Sequence, residues 1–245
     1  METPFKAALF DFGGTLYSYR NEGLGLREVL HTLLEKLGAS AEPGRVREAF
    51  RAASRDAYAA HLEHDYYLHR DLFEDTYRRF AVAITGEEPS AELLRWCHVR
   101  QCERVVANFE LREDCLSTLR ALRAAGLHVA IVSNIDDDYL LPMIDRVRLH
   151  EALDAWTSSE EARSCKPHEK IFHTALEKAG CRPEEALFVG DALEADVAGA
   201  NPLGMTTVYL RADGLPEAPL DGPRPRHTVD RLSDVLPVAG LPRSR

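Results

Sequence analysis

The sequence contains no CxxC pair. Its five cysteines, Cys97, Cys102, Cys115, Cys165 and Cys181, are odd in number and scattered over 245 residues. That argues against a disulfide framework or a thiolate zinc site and points to a reducing, cytoplasmic setting. No apolar run approaches the roughly 18–20 residues of a membrane span, so no membrane partner is expected. The start, METPFKAALF, lacks a basic stretch followed by an apolar one, and no secretory signal is expected. Basic residues are not in excess. The net charge is -10, whereas a nucleic-acid partner calls for a basic face. The length suits one large domain or two small ones with a sizeable core.

What is present begins with AALFDFGGTLYS, Ala7 to Ser18. Ala7–Phe10 reads as a short strand, apolar throughout, as parallel strands covered on both faces tend to be. One acid follows, Asp11, and then two glycines and Thr15. From Leu24 the apolar period changes to that of a helix. Leu26, Val29, Leu30, Leu33, Leu34 and Leu37 form one stripe, with Gly38 as its stop. Pro43 opens a second helix running towards His64. A third covers Tyr66–Ile84 and is broken by Gly86 and Pro89. A fourth follows Ser90, an N-cap, and runs towards Val105.

Strands and helices then alternate. Helices are expected over Glu113–Ala125, Asp138–Val147, Lys166–Ala179 and Glu194–Ala200. Strands are expected at His128–Val132, Ala155–Thr157, Ala186–Val189 and Thr207–Leu210. A surface loop rich in proline and glycine spans 211–226, and a short strand and helix over Thr228–Pro237 close the sheet. Such alternation means βαβ units and a parallel sheet. The fold class is therefore α/β. An α/β core of residues 1–16 and 110–245 is interrupted by an all-helical insertion, residues 17–109. Open α/β sheets bind ligands at the carboxyl ends of their strands.

Four clusters fall at strand ends or helix starts: Asp11 with Gly13, Gly14 and Thr15; Ser133–Asn134; Lys166–Pro167; and Gly190–Asp191 with Asp196. Singly, each has a bland reading as a cap, a turn or a surface charge. Together they gather along one edge of a parallel sheet. Asp11, Asp191 and Asp196, with no Cys or His beside them, suit a hard cation such as Mg²⁺. A glycine-rich turn, hydroxyls and a lysine suit an anion. A carboxylate can attack phosphorus and form an aspartyl-phosphate. A cation removes the repulsion between the two anions.

In these motifs the chain resembles the haloacid dehalogenase-like superfamily, whose first motif is DxDGT. Here it stands as Asp11-Phe12-Gly13-Gly14-Thr15-Leu16. The second motif matches Ser133-Asn134 in HVAIVSN, the third Lys166 in SSEEARSCKPHEKIF, and the fourth Asp191 and Asp196 in VGDALEADVAGA. The helical block resembles the family's C1 cap. The resemblance implies a Mg²⁺-dependent hydrolase of a small phosphorylated metabolite. Asp11 would be nucleophile and metal ligand, joined by the Gly13 carbonyl, Asp191 and Asp196. Gly14, Thr15, Ser133, Asn134 and Lys166 would hold the phosphoryl group, Lys166 also neutralising Asp11. Ala192 and Arg163 replace a more usual small polar residue and glycine, and are expected to be tolerated.

The large departure is Gly13, where the resembled phosphatases carry a second, acid–base Asp. Such help is worth about 10²–10⁴-fold. Four readings follow. An acid from elsewhere can serve, and the segment His61–Phe73 offers His61, Glu63, His64, Asp65 and His69, which equally suit solvent or substrate. A 2-haloacid dehalogenase needs no proton for its leaving halide, but the retained acids are of metal-binding type. A phosphonate-cleaving enzyme would need a cap lysine, and Lys36 suits solvent better. A binding protein would keep the cradle without turnover. The aromatic-rich helices fit an interface between copies or simple core packing, so oligomeric state stays open.

Overall fold

Four apolar residues in a row, Ala7–Phe10, form the first strand, β1, and all four are buried. The computed structural model describes residues 3–19, 22–211 and 222–243. The chain divides into two compact units, Met1–Tyr19 with Glu110–Arg245, and Arg20–Phe109. In the first unit β1 is joined by β2 (His128–Ser133), β3 (Ala155–Ser158), β4 (Ala186–Gly190), β5 (Thr206–Leu210) and β6 (His227–Val229). Neighbouring strands all pair in parallel, in the order β3-β2-β1-β4-β5-β6. Strands β4 and β5 are buried along their whole length, as a sheet covered on both faces requires.

From β1 the order runs outward to β2 and β3 on one side and to β4, β5 and β6 on the other. The reversal falls beside β1, where open α/β sheets leave a crevice at the carboxyl ends. Register decides what reaches that edge. Phe10 pairs with Ile131 of β2 and with Val189 of β4. Asp11 continues the strand, its N–H donating to the Val189 carbonyl at 2.8 Å. Ser133 and Asp191 each lie two residues beyond the partners of Phe10, so three chemically active side chains leave adjacent strands at nearly one level.

The described residues of the second unit form the helices α1 (Glu22–Lys36), α2 (Pro43–His61), α3 (His69–Thr85) and α4 (Ala91–Asn108). Val29, Leu30, Leu33 and Leu34 of α1 are buried with Tyr77 and Phe80 of α3 and Cys97 of α4. Phe50 of α2 lies 5.9 Å, centroid to centroid, from both Tyr77 and Phe80. The expected punctuation is visible. Gly38 and Gly86 take positive φ, 62° and 78°, and the Ser90 hydroxyl accepts from the Leu93 N–H at 3.2 Å. Helix α2 stops at His61, short of His64, and α3 starts at His69, not Tyr66. Leu68 is extended there, and its carbonyl accepts from the Asp71 and Leu72 N–H groups.

Among the described residues shorter helices serve the sheet: α5 (Cys115–Ala124), α6 (Asp137–Arg146), α7 (Ser159–Ala162), α8 (Glu169–Ala179), α9 (Ala198–Ala200) and α10 (Val235–Val238). α8 buries Ile171, Phe172, Ala175 and Leu176, one face at helical spacing. The Phe172 ring meets Phe188 of β4 edge-on at 5.0 Å. The expected helix from Lys166 begins only at Glu169, because Lys166 gives its backbone groups to Asn134 and Pro167 follows it. Helix α7, whose N-terminus is capped by Ser158, has no counterpart among the sequence expectations. The stretch expected to be helical from Glu194 opens as a wider π turn, Leu193–Val197, before α9. Much of the loop expected over 211–226 lies outside the described residues, at 212–221. Among the described residues no helix is long and apolar enough to cross a membrane, and no disulfide links the five cysteines.

Candidate active site

Asp11 stands at the end of β1 with little solvent around its carboxylate. Oδ1 accepts from Lys166 Nζ at 2.6 Å and from the Ser133 hydroxyl at 3.2 Å. Oδ2 accepts from the Thr15 hydroxyl at 3.1 Å. Lys166 Nζ also donates to Asp196 Oδ1 at 2.7 Å, and the other Asp196 oxygen accepts from the Ala192 N–H at 3.0 Å. The ammonium lies 5.5 Å from the centroid of Phe188. So one lysine bridges two buried acids that the sequence places 185 residues apart.

Asp191 completes the group. The Thr15 hydroxyl is 3.3 Å from its Oδ1. A hydroxyl has one proton to give, so Thr15 cannot serve Asp11 and Asp191 fully at once. Asp11, Asp191 and Asp196 each offer an oxygen within 4.8 Å of the others. Three acids face one lysine, and the excess shows in their acidities. Burial pushes Asp191 up to about 7, with repulsion from Asp11 and Asp196 adding to it. Burial likewise raises Asp196 to about 6, against the pull of Lys166. Burial alone would lower the lysine, but the Asp11 and Asp196 carboxylates hold it above its ordinary value. The donor set is all oxygen, with uncompensated charge, which fits a hard divalent cation such as Mg²⁺.

Local backbone explains how the acids come so close. Gly14 has φ +79°, and a Cβ there would stand 2.0 Å from Asp191 Oδ2. A Cβ on Gly190 would stand 2.1 Å from Asp196 Oδ2. Only glycine leaves room for either carboxylate. The loop is held from outside by Arg112, whose guanidinium donates to the Thr15 carbonyl at 2.9 Å and to the Gly14 carbonyl. The side chain of Asn134, expected among the phosphoryl-holding groups, is spent on Lys166. It donates to the Lys166 carbonyl at 2.9 Å and accepts from the Lys166 N–H at 2.6 Å. It positions the lysine. Arg163, which stands where a glycine was expected, has φ 47° and ψ 49°. This left-handed conformation costs a side chain about 1–2 kcal/mol.

Thus Asp11, Thr15, Ser133, Lys166, Asp191 and Asp196 converge, Asn134 supports the lysine, and Gly13 and Gly14 form the turn between Asp11 and Thr15. Sequence reasoning missed Arg112, because its targets are backbone carbonyls, which carry no residue signature. The sequence marks Gly190 beside Asp191 at a strand end, and the structure adds that its missing side chain makes room for the Asp196 carboxylate.

A family model of haloacid dehalogenase-like hydrolases matches residues 5–204. The chain belongs to that family. This haloacid dehalogenase-like hydrolase is 26% identical over 239 residues to a ribulose-1,5-bisphosphate 5-phosphatase of Halopiger xanaduensis, covering 94% of this chain and 97% of that one. It is 33% identical over 129 residues to (S)-2-haloacid dehalogenase 4A of Burkholderia cepacia, covering 51% of this chain and 53% of that one. Among solved structures, a HAD phosphatase from Thermococcus onnurineus superposes with a TM-score of 0.74 at 26% identity, covering 98% of this chain and 100% of that one. The parallel sheet with its helices is the family's Rossmann-like α/β fold.

Proposed function

We propose that this hydrolase is a Mg²⁺-dependent phosphatase for a small phosphorylated metabolite, with Asp11 as nucleophile. The observation that carries the reading is the Asp11 carboxylate itself. It is buried, bonded at 2.6 Å to a buried lysine, and grouped with two further acids. A carboxylate so placed attacks phosphorus while the bond from phosphorus to the alcohol oxygen breaks, and water then cleaves the acyl phosphate. Lys166 offsets charge on Asp11 and on the incoming group. Thr15 and Ser133, with the backbone N–H groups of Gly14 and Asn134, hold the phosphoryl oxygens. Asp11, Asp191 and the Gly13 carbonyl would hold Mg²⁺, with Asp196 in support. When bound, the ion supplies the positive charge that lets a carboxylate approach a phosphate dianion. The helical unit, residues 17–109 in the sequence reading, is assigned the part of a cap that selects the substrate.

Whole-length similarity to a protein named as a phosphatase supports this reading. Sequence similarity to a dehalogenase covers half the chain, and three clustered acids suit a divalent cation, which displacing halide from carbon does not call for. The test is phosphate and halide release from a panel of phosphorylated metabolites and 2-haloacids, with Mg²⁺ and with EDTA. Phosphate release is expected with Mg²⁺ and is expected to vanish in EDTA and in Asp11→Asn. Halide release that persists in EDTA contradicts the reading. Tight Mg²⁺ and anion binding without turnover would make the chain a binding protein instead.

A further inference from the structure

Expelling an alcohol from phosphorus leaves charge on its oxygen, and a nearby hydrogen-bond donor stabilises that charge. Three side-chain donors lie against Asp11. Ser133 and Thr15 direct their hydroxyls at the Asp11 carboxylate, and Lys166 divides its ammonium between Asp11 and Asp196. Two further hydroxyls stand over Gly13, two residues from Asp11 and two from Thr15. The point where a Gly13 Cβ would lie is 2.4 Å from the Tyr19 hydroxyl and 3.1 Å from the Tyr17 hydroxyl. The chain has no side chain at this position, and phenol oxygens fill the space one would take.

The two tyrosines are held differently. Tyr17 is 4% exposed, and its ring meets Phe12 edge-on at 4.9 Å. Its backbone bridges to both Gly13 and Leu111. Tyr19 is 52% exposed and rests edge-on against Tyr17 at 5.6 Å. Tyr17 is therefore a fixed wall, and Tyr19 is a ring with one side open and its hydroxyl turned in. We propose that the Tyr19 hydroxyl donates a hydrogen bond to the oxygen of the departing alcohol, standing in for the side chain that Gly13 lacks.

The inference rests on the phosphatase reading. As an Asp11 oxygen bonds to phosphorus, the bond from phosphorus to the alcohol oxygen breaks and its electron pair stays on that oxygen. Tyr19 keeps its proton and shares it as a hydrogen bond. The alkoxide takes a proton from water, and the hydroxide so formed cleaves the acyl phosphate, returning Asp11 and releasing inorganic phosphate. Glycine at 13 is then a requirement. Any side chain there meets the end of Tyr19, whose open ring can swing away, taking the donor with it.

The experiment compares kcat/KM of the full chain with Mg²⁺ on two probes. Glycerol phosphate expels a strongly basic alkoxide, and para-nitrophenyl phosphate expels a stable phenolate that needs little help. Tyr19→Phe is expected to lower the alkyl-to-aryl ratio about tenfold, the worth of one well-placed hydrogen bond. Gly13→Ala is expected to lower the same ratio in the same direction. A purely structural role would reduce both esters together, so a ratio unmoved in Tyr19→Phe overturns the inference. Cleavage of the aryl ester alone by the parent protein also overturns it, while the phosphatase reading stands. Cleavage of neither ester overturns both.

Discussion

Lys166 sits between two acids in a place that water hardly reaches. An ion pair so buried is costly to assemble, and removing one member leaves the other charges exposed to each other. Here even the complete set is unbalanced, since three acids face one lysine and Asp191 takes only a share of the Thr15 hydroxyl. This gives a pH dependence with a definite sign. Asp191 and Asp196 are raised from 3.8 to about 7 and about 6. Between pH 4 and 7 the folded protein therefore binds more protons at these groups than the unfolded chain does. Their contribution to stability falls as pH rises through that window. Mg²⁺ competes with those protons and replaces the missing positive charge. The gain in Tm on adding Mg²⁺ over EDTA is therefore expected to grow from pH 5 to pH 8. A gain that is flat or shrinks over that range speaks against a cation among these acids. The acids and the lysine were legible in the sequence because each belongs to a cluster at an expected strand end or helix start. Arg112 and Tyr19 were not. One acts on backbone carbonyls 97 and 98 residues away, and the other matters for where its hydroxyl ends rather than for any spacing.

At the scale of elements, the start of α8 shows what periodicity can and cannot see. Ile171, Phe172, Ala175 and Leu176 announce the helix correctly, since they share one buried face. They say nothing of Lys166, whose backbone is held by Asn134 from the end of β2. The segment around Lys166 is braced from a third direction by Gly199 of α9. A Cβ on Gly199 would stand 2.6 Å from the Phe172 ring and 2.8 Å from the Pro167 carbonyl. Neither can swing into solvent, because the ring is fully buried and the other atom is backbone. Gly199→Ala is expected to cost about 1–3 kcal/mol of stability, the usual price of overpacking. It is also expected to lower phosphate release by shifting the Lys166–Pro167 segment. Chemical denaturation and phosphate release check the two halves, and an unchanged midpoint would show that the packing yields more easily than the distances imply.

For the molecule as a whole, the alternation of strands and helices foretold the parallel sheet. What spacing did not reveal is the register. Phe10 pairs with both Ile131 and Val189, and that pairing brings Asp11, Ser133 and Asp191 to one edge. It is fixed by packing on both faces of the sheet, which no single segment encodes. The central claim is that this edge carries phosphoryl transfer to Asp11. It is tested most directly by trapping the acyl phosphate. The protein is mixed with Mg²⁺ and para-nitrophenyl phosphate, quenched in acid, reduced with borohydride and mapped by mass spectrometry. The account predicts substrate-dependent conversion of Asp11 to homoserine. Phosphate release with Asp11 left unmodified would contradict it.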